Sequence, residues 1–114
     1  MATRYHLRLP DPALARGPIA TLAFHSASAE GFAEELQAAL RSPGLFERWR
    51  ALQDDPDAVE STLGVSDPEA VVTGEQDDLS VRLQATTTLP GEVFKHRLRL
   101  LAGSHWELRD VTSA

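Results

Sequence analysis

His96 and Asp110 are the pair of residues in this sequence that we predict to lie close enough for acid–base chemistry. In the strand register derived below, they face each other on neighbouring strands, on the apolar side of a sheet. An adjacent carboxylate raises the pKa of an imidazole and burial lowers it, so such a pair at the mouth of a pocket could act as a general base. Polar side chains that merely satisfy each other at the open end of a sheet are the commoner case, and we favour that structural interpretation.

Five basic residues are predicted to lie on the opposite side of the same sheet: Arg82, Lys95, Arg97, Arg99 and Arg109. The predicted register sets Arg82 against Arg99 and Arg97 against Arg109. Like charges that face each other across strands are destabilising, and a guanidinium can bind a carboxylate or a phosphate through two hydrogen bonds. The pattern therefore predicts a face that binds an acidic protein or a small anionic ligand.

The same arginines have a second explanation within the chain itself. Residues 51–79 contain nine acidic residues and no basic one, and Glu92 and Glu107 flank the predicted basic face. These carboxylates could neutralise the row, as is common on a solvated sheet face, and we favour this interpretation. Arg4 and Arg8 would join the row if the first strand docks beside it. The face lacks the aromatic side chains on which bases stack, so we predict no nucleic-acid binding.

Metal ions and cofactors are not predicted for this sequence. It has no cysteine, and its four histidines show no close spacing, which leaves no zinc motif. The acidic clusters at residues 54–57 and 75–78 lack the spacing of a calcium loop. There is also no glycine-rich phosphate loop and no nucleophile motif around a serine. We therefore expect a protein without enzymatic activity.

The predicted positions of these residues depend on three segments in which apolar and polar residues alternate: Ser80–Thr87, Val93–Leu101 and His105–Val111. Side chains alternate between the two faces of a strand, so a slip of one residue would turn every apolar side chain outward. Joined by short turns, the segments pair as an antiparallel meander. Both hairpins then send Leu98 and Leu100 to the same face, and this agreement is the basis of the predicted register.

The rest of the chain supplies further strands and the helices that cover the sheet. Residues 4–9 alternate as a strand does, residues 70–73 form a short apolar strand, and residues 19–24 are an apolar run whose structure is left open. A helix is predicted from Ser26 or Ser28 to Arg41, because apolar side chains recur at every fourth position.

One serine-proline pair and one aspartate-proline pair mark the starts of further helical stretches. Ser42-Pro43 begins one and Asp55-Pro56 begins another, which ends at Gly64. Residues 1–114 are thus predicted to form a single α+β domain of two layers. An antiparallel sheet of four or more strands, ending in the C-terminal meander, is covered on one face by two or three helices.

Composition limits the classes of function. The chain is 42% hydrophobic and 25% charged, as is usual for a soluble domain, and no apolar run approaches the ~20 residues of a membrane helix. Its first residues lack the apolar core of a signal peptide, so a cytoplasmic location is expected. A net charge of −6 opposes general binding to nucleic acid or a membrane surface. Lys95 is the only lysine, which indicates a bacterium with a GC-rich genome.

We therefore expect a non-enzymatic accessory or protein-interaction module that uses the arginine-rich sheet face or an exposed strand edge. The alternative is a small-molecule-binding protein or enzyme with a pocket between sheet and helices, built around His96 and Asp110. The chain is expected to be a monomer or a homodimer paired through strand edges, because two similarly charged faces would repel each other.

Overall fold

Seven helices and strands make up the part of the chain that the computed structural model describes, residues 2–114. In chain order they are β1 (Thr3–Leu9), α1 (Ala29–Arg41), α2 (Gly44–Ala51), β2 (Val71–Asp77), β3 (Ser80–Thr87), α3 (Gly91–Ala102) and β4 (Glu107–Ser113). Short 3-10 turns lie between them at Pro12–Leu14, Pro56–Ala58 and Ser61–Gly64.

The four strands form one antiparallel sheet in the order β2-β3-β1-β4. β1 lies inside the sheet, where Leu7 faces Leu83 of β3 on one side and Leu108 of β4 on the other. Tyr5, Leu7 and Leu9 point to the same side and are buried, so this side is the inner face. With α2 set aside, the element order is the strand–helix–strand–strand–helix–strand order of ferredoxin-like folds, a fold class that hosts many unrelated functions.

The helices form a second layer on the inner face. α1 packs against β2 and β3, and a Cβ placed on Gly74 would lie only 2.4 Å from the Ala29 carbonyl oxygen. Glycine at this position therefore allows the start of α1 to approach the strand closely. On α3, Phe94 stacks on Tyr5 with ring centroids 4.1 Å apart. The predicted α+β fold, with an antiparallel sheet covered on one face by helices, is confirmed.

The prediction of a C-terminal meander is wrong, because residues 93–101 belong to α3 and not to a strand. The buried side chains of this helix include Val93, Phe94, Arg97 and Leu101, which follow helical spacing. An arginine within the buried stripe interrupts the apolar pattern, so the remaining residues resemble the alternation of a strand. The helix ends where Gly103, at φ +64°, donates its N–H to the Arg99 carbonyl oxygen at 2.9 Å.

Other predicted elements are confirmed or shifted by a few residues. β1 and β3 form as predicted, and α1 begins after Ser28, whose hydroxyl accepts from the Gly31 N–H at 3.0 Å. Residues 19–24 form turns and not a strand. β2 is longer than predicted because it continues through residues 74–77 into a two-residue turn at Asp78, which adopts φ 56°.

Candidate functional site

The face of the sheet opposite the helices carries mostly charged and polar side chains, and we call it the outer face. Its members follow from strand alternation and pairing: Arg4, His6 and Arg8 of β1, Val71, Thr73, Glu75 and Asp77 of β2, Arg82, Gln84 and Thr86 of β3, and Glu107, Arg109, Asp110 and Thr112 of β4. An open groove of about 830 Å³ runs across this face between Arg8, Arg82 and Arg109.

Only two of the five basic residues predicted to share a face do so. Arg82 and Arg109 lie on the outer face, and Arg4 and Arg8 join them from β1. The other three are on α3, in the opposite layer. Lys95 is half-buried, Arg99 is exposed and Arg97 is fully buried. The prediction of one shared row fails because successive side chains of a helix do not alternate between two faces.

Carboxylates of the chain itself neutralise three arginines of the outer face, Arg8, Arg82 and Arg109. Arg8 binds Glu107 at 3.3 Å, and Arg109 binds the same carboxylate at 3.3 Å. Arg82 lies 3.5 Å from Asp77 and 3.8 Å from Glu75. All of these side chains are at least one-third exposed, so each pair contributes only about 0–1 kcal/mol.

One unfavourable juxtaposition remains at the centre of the face. Arg8 and Arg82 are direct cross-strand partners, and like charges in that position are destabilising. The carboxylates that compensate them come from the flanking strands, Glu107 on β4 and Asp77 on β2. Two arginines thus occupy directly opposed positions on open sheet, and each reaches outward to carboxylates of a flanking strand through weak surface ion pairs.

His96 and Asp110 are not brought together, so the predicted pair is wrong. Asp110 is exposed on β4, and its cross-strand partner is His6. His96 is on α3, in the helical layer, where its ring packs edge-on against Trp49 with centroids 4.5 Å apart. Its Nδ1 atom is buried without a hydrogen-bond partner. His96 therefore packs against an aromatic ring and does not meet the carboxylate of Asp110.

The environment of His96 predicts a pH dependence of stability. Burial, followed by the positive charges of Arg99 and Arg97, lowers the pKa of His96 below its ordinary 6.5. The unfolded chain therefore takes up a proton more readily, and stability that is fully present above pH 6.5 is progressively lost as the pH falls below that value. We expect His96→Gln to weaken this acid dependence, as measured by urea unfolding between pH 7.5 and 5. The matched variant of an exposed histidine, His105→Gln, should retain it, and identical profiles for both variants would contradict the assignment.

Two buried polar residues, Arg97 and Asp67, hold the irregular segment between α2 and β2 in place, and the sequence did not indicate this role for either of them. The fully buried guanidinium of Arg97 donates to the carbonyl oxygens of Ala39, Leu63 and Val65 at 2.6, 3.1 and 2.5 Å. Ala39 lies in the last turn of α1, whose carbonyl groups lack helical partners, and a cation is favoured at this negative end of the helix dipole. Burial lowers the pKa of Arg97, although an arginine stays protonated at neutral pH.

Asp67 is the second of these residues. Its carboxylate accepts from the Thr87 hydroxyl at 2.8 Å, from the Thr88 N–H at 2.9 Å and from the Glu69 N–H at 3.1 Å. Burial alone would raise the pKa of Asp67, but these hydrogen bonds outweigh it and hold the pKa below the ordinary 3.8. Its backbone N–H also donates to the Leu40 carbonyl oxygen at 2.8 Å. Both residues therefore have a structural role.

A smaller pocket, of about 220 Å³, lies beside α1 and is lined by Glu35, His25 and Arg48 among others. The carboxylate of Glu35 is already engaged there, because it accepts from the backbone N–H groups of His25 and Ser26 and from the Ser26 hydroxyl. These hydrogen bonds hold the loop that precedes α1 against Glu35 of the helix.

Across residues 2–114, no three His, Asp or Glu side chains gather in a way that could hold a metal ion, and none of the described helices is long and apolar enough to cross a membrane. Comparison with known proteins gave no match to a protein family, to a curated protein or to a solved structure.

Proposed function

We propose that this chain is a non-enzymatic protein-interaction module that binds an acidic segment of another protein on its outer face. The observation that carries the proposal is the Arg8–Arg82 pair, two arginines directly opposed in the strand register on an open sheet face. Each can bind a carboxylate through two parallel hydrogen bonds. The absence of cysteine and the predominance of arginine over lysine among the basic residues support a bacterial protein of the cytoplasm.

The energetics of the face favour exchange of partners. The ion pairs of Arg8 and Arg82 are exposed, so breaking one costs about 0–1 kcal/mol. An incoming carboxylate could replace Glu107 or Asp77 at little cost and would add negative charge beside two arginines that oppose each other in the register. The groove is open to solvent and is lined by residues of all four strands, so it suits an extended segment of protein better than a small anion, which needs a pocket that encloses it.

The alternative of an enzyme or small-molecule pocket built on His96 and Asp110 receives no support from the geometry. The two side chains lie in different layers, one against Trp49 and the other on the outer face. We therefore retain the interaction module as the proposal.

The proposal is tested by titrating ¹⁵N-labelled protein with a short synthetic peptide of alternating Glu and Val, and with a matched peptide of alternating Lys and Val. We expect saturable, salt-sensitive shifts in β1 and β3 with the acidic peptide alone. Arg8→Glu combined with Arg82→Glu should weaken binding at least about tenfold. Arg99→Glu makes the same kind of charge change at an exposed position of α3, in the other layer, and should leave binding unchanged. Equal loss in both variants, or shifts confined to α3, would reject the outer face as the binding surface.

A further inference from the structure

The two edges of the sheet differ in how they are protected. At the β2 edge, the Val72 N–H donates to the Gln37 side chain of α1 at 3.0 Å, and Glu75 and Asp77 add negative charge along the strand. At the β4 edge, Leu108 is 36% exposed and Val111 is 47% exposed. β4 also carries charge, but Glu107, Arg109 and Asp110 are of both signs and can be complemented by those of a second copy. Because an edge strand is a template for pairing with another strand, β4 is the edge on which a second copy would be added.

A β-bulge gives β4 an unusual order of side chains. His6 pairs with Asp110 and Leu7 pairs with Leu108, so the register shifts by one residue between them. Arg109 is the extra residue, and its side chain reaches Glu107 on the outer face. Arg109 and Asp110 therefore both belong to the outer face, while the apolar residues on either side of them, Leu108 and Val111, belong to the inner face.

We propose that two copies of this chain pair antiparallel through β4, with the two-fold axis between Arg109 and Asp110. This register places Leu108 against Val111 of the second copy on the inner face. On the outer face it places Arg109 against Asp110 of the second copy. Both contacts occur twice, as in any two-fold interface, and each guanidinium meets a carboxylate. The result is a continuous eight-stranded sheet, and the dimer does not depend on the acidic partner proposed above.

The carboxylate of Asp110 has a part in this pairing. In the single chain it accepts the Val111 N–H at 2.9 Å. Alternate N–H groups of an edge strand point away from the sheet, and we infer that this one faces the open edge. When the second copy pairs, the Leu108 carbonyl group of that copy takes the N–H, and Asp110 is released to bind Arg109. The contact area is that of a single strand pair with two small apolar contacts, so a weak dimer is expected.

The dimer is tested by sedimentation of the full chain over a wide concentration range, without any partner. The wild-type protein should show a reversible monomer–dimer equilibrium. Arg109→Asp and Asp110→Arg each place like charges opposite one another, and each should weaken association by about ten- to thirtyfold. The double variant Arg109→Asp/Asp110→Arg restores complementary pairs and should dimerise as the wild type does.

Mixing the two single variants provides the decisive arm. The acidic Arg109→Asp chain and the basic Asp110→Arg chain complement each other and should form a heterodimer, which shows that neither change damages the fold. Arg99→Asp, at an exposed position of α3, should leave association unchanged. The proposal is overturned if the wild-type chain remains monomeric at every concentration, even if its β4 accepts a strand from a different protein. It is also overturned if the chain dimerises and neither single variant weakens the dimer. The peptide titration above reports on Arg8 and Arg82, so failure of the dimer is distinguishable from failure of the proposed function.

Discussion

Replacing Arg97 by alanine is expected to lower the free energy of unfolding by about 3–5 kcal/mol, the largest effect we predict for a polar residue in this chain. The substitution removes a fully buried side chain and three hydrogen bonds. It leaves the Ala39 carbonyl group buried without a donor, at the end of α1 where the helix supplies none. The measurement is urea unfolding at neutral pH.

Two further variants separate the causes of this loss. Arg97→Met fills most of the volume but donates no hydrogen bond, so it should lose about 2–3 kcal/mol, mainly through the unsatisfied carbonyl groups. Arg99→Ala, two residues along the same helix and exposed, should change stability by less than about 0.5 kcal/mol. If Arg97→Met matched or exceeded the wild type in stability, the desolvation of the guanidinium would outweigh its hydrogen bonds and our account of its role would be wrong.

Replacing Asp67 by alanine is expected to cost about 2–4 kcal/mol, because three donors lose a charged acceptor in a buried setting. Asp67→Asn keeps one acceptor oxygen and should lose roughly half as much. The exposed residue Asp54 supplies the control, since Asp54→Ala should change stability by less than about 0.5 kcal/mol.

The contribution of Asp67 should also disappear in acid. Folding lowers the pKa of this carboxyl below 3.8, so its stabilisation is fully present above that pH and is lost as the pH falls through the lower native pKa. The difference in unfolding free energy between wild type and Asp67→Ala should therefore be large at pH 7 and shrink below pH 3.8. A difference that stayed constant with pH would show that the ionised carboxylate is not what stabilises the fold.

The elements that could be predicted from the sequence are those whose pattern is complete within one segment. α1 has both a capping serine and an apolar stripe at helical spacing, and β1 and β3 each alternate with one apolar face. α3 could not be identified in the same way because Arg97 occupies its buried stripe. The carbonyl groups that accept hydrogen bonds from Arg97 lie far away in sequence, at the end of α1 and in residues 63–65. The residues around Arg97 therefore do not indicate that it can be buried.

The candidate site was predictable to the same extent. Arg82 and Arg109 are on strands and were correctly placed on an exposed face, and Arg4 and Arg8 joined them because β1 docks beside β3. The pairing of β1 with β3 and with β4 could not be derived from the sequence, because these strands are far apart along the chain. The prediction of a meander rests on the assumption that neighbours in sequence are neighbours in the sheet. For the same reason the predicted cross-strand partner of Asp110 is His96, whereas the actual partner is His6.

The position of β1 in the middle of the sheet has a consequence for how the chain is made. Tyr5 pairs with Ala85 and with Val111, so β1 leaves the ribosome well before either of its neighbours in the sheet has been synthesised. Contacts of such long sequence separation form slowly, and apolar strands that wait unpaired are prone to aggregate. The interval between translation of β1 and translation of β3 is therefore when this chain has most need of a chaperone.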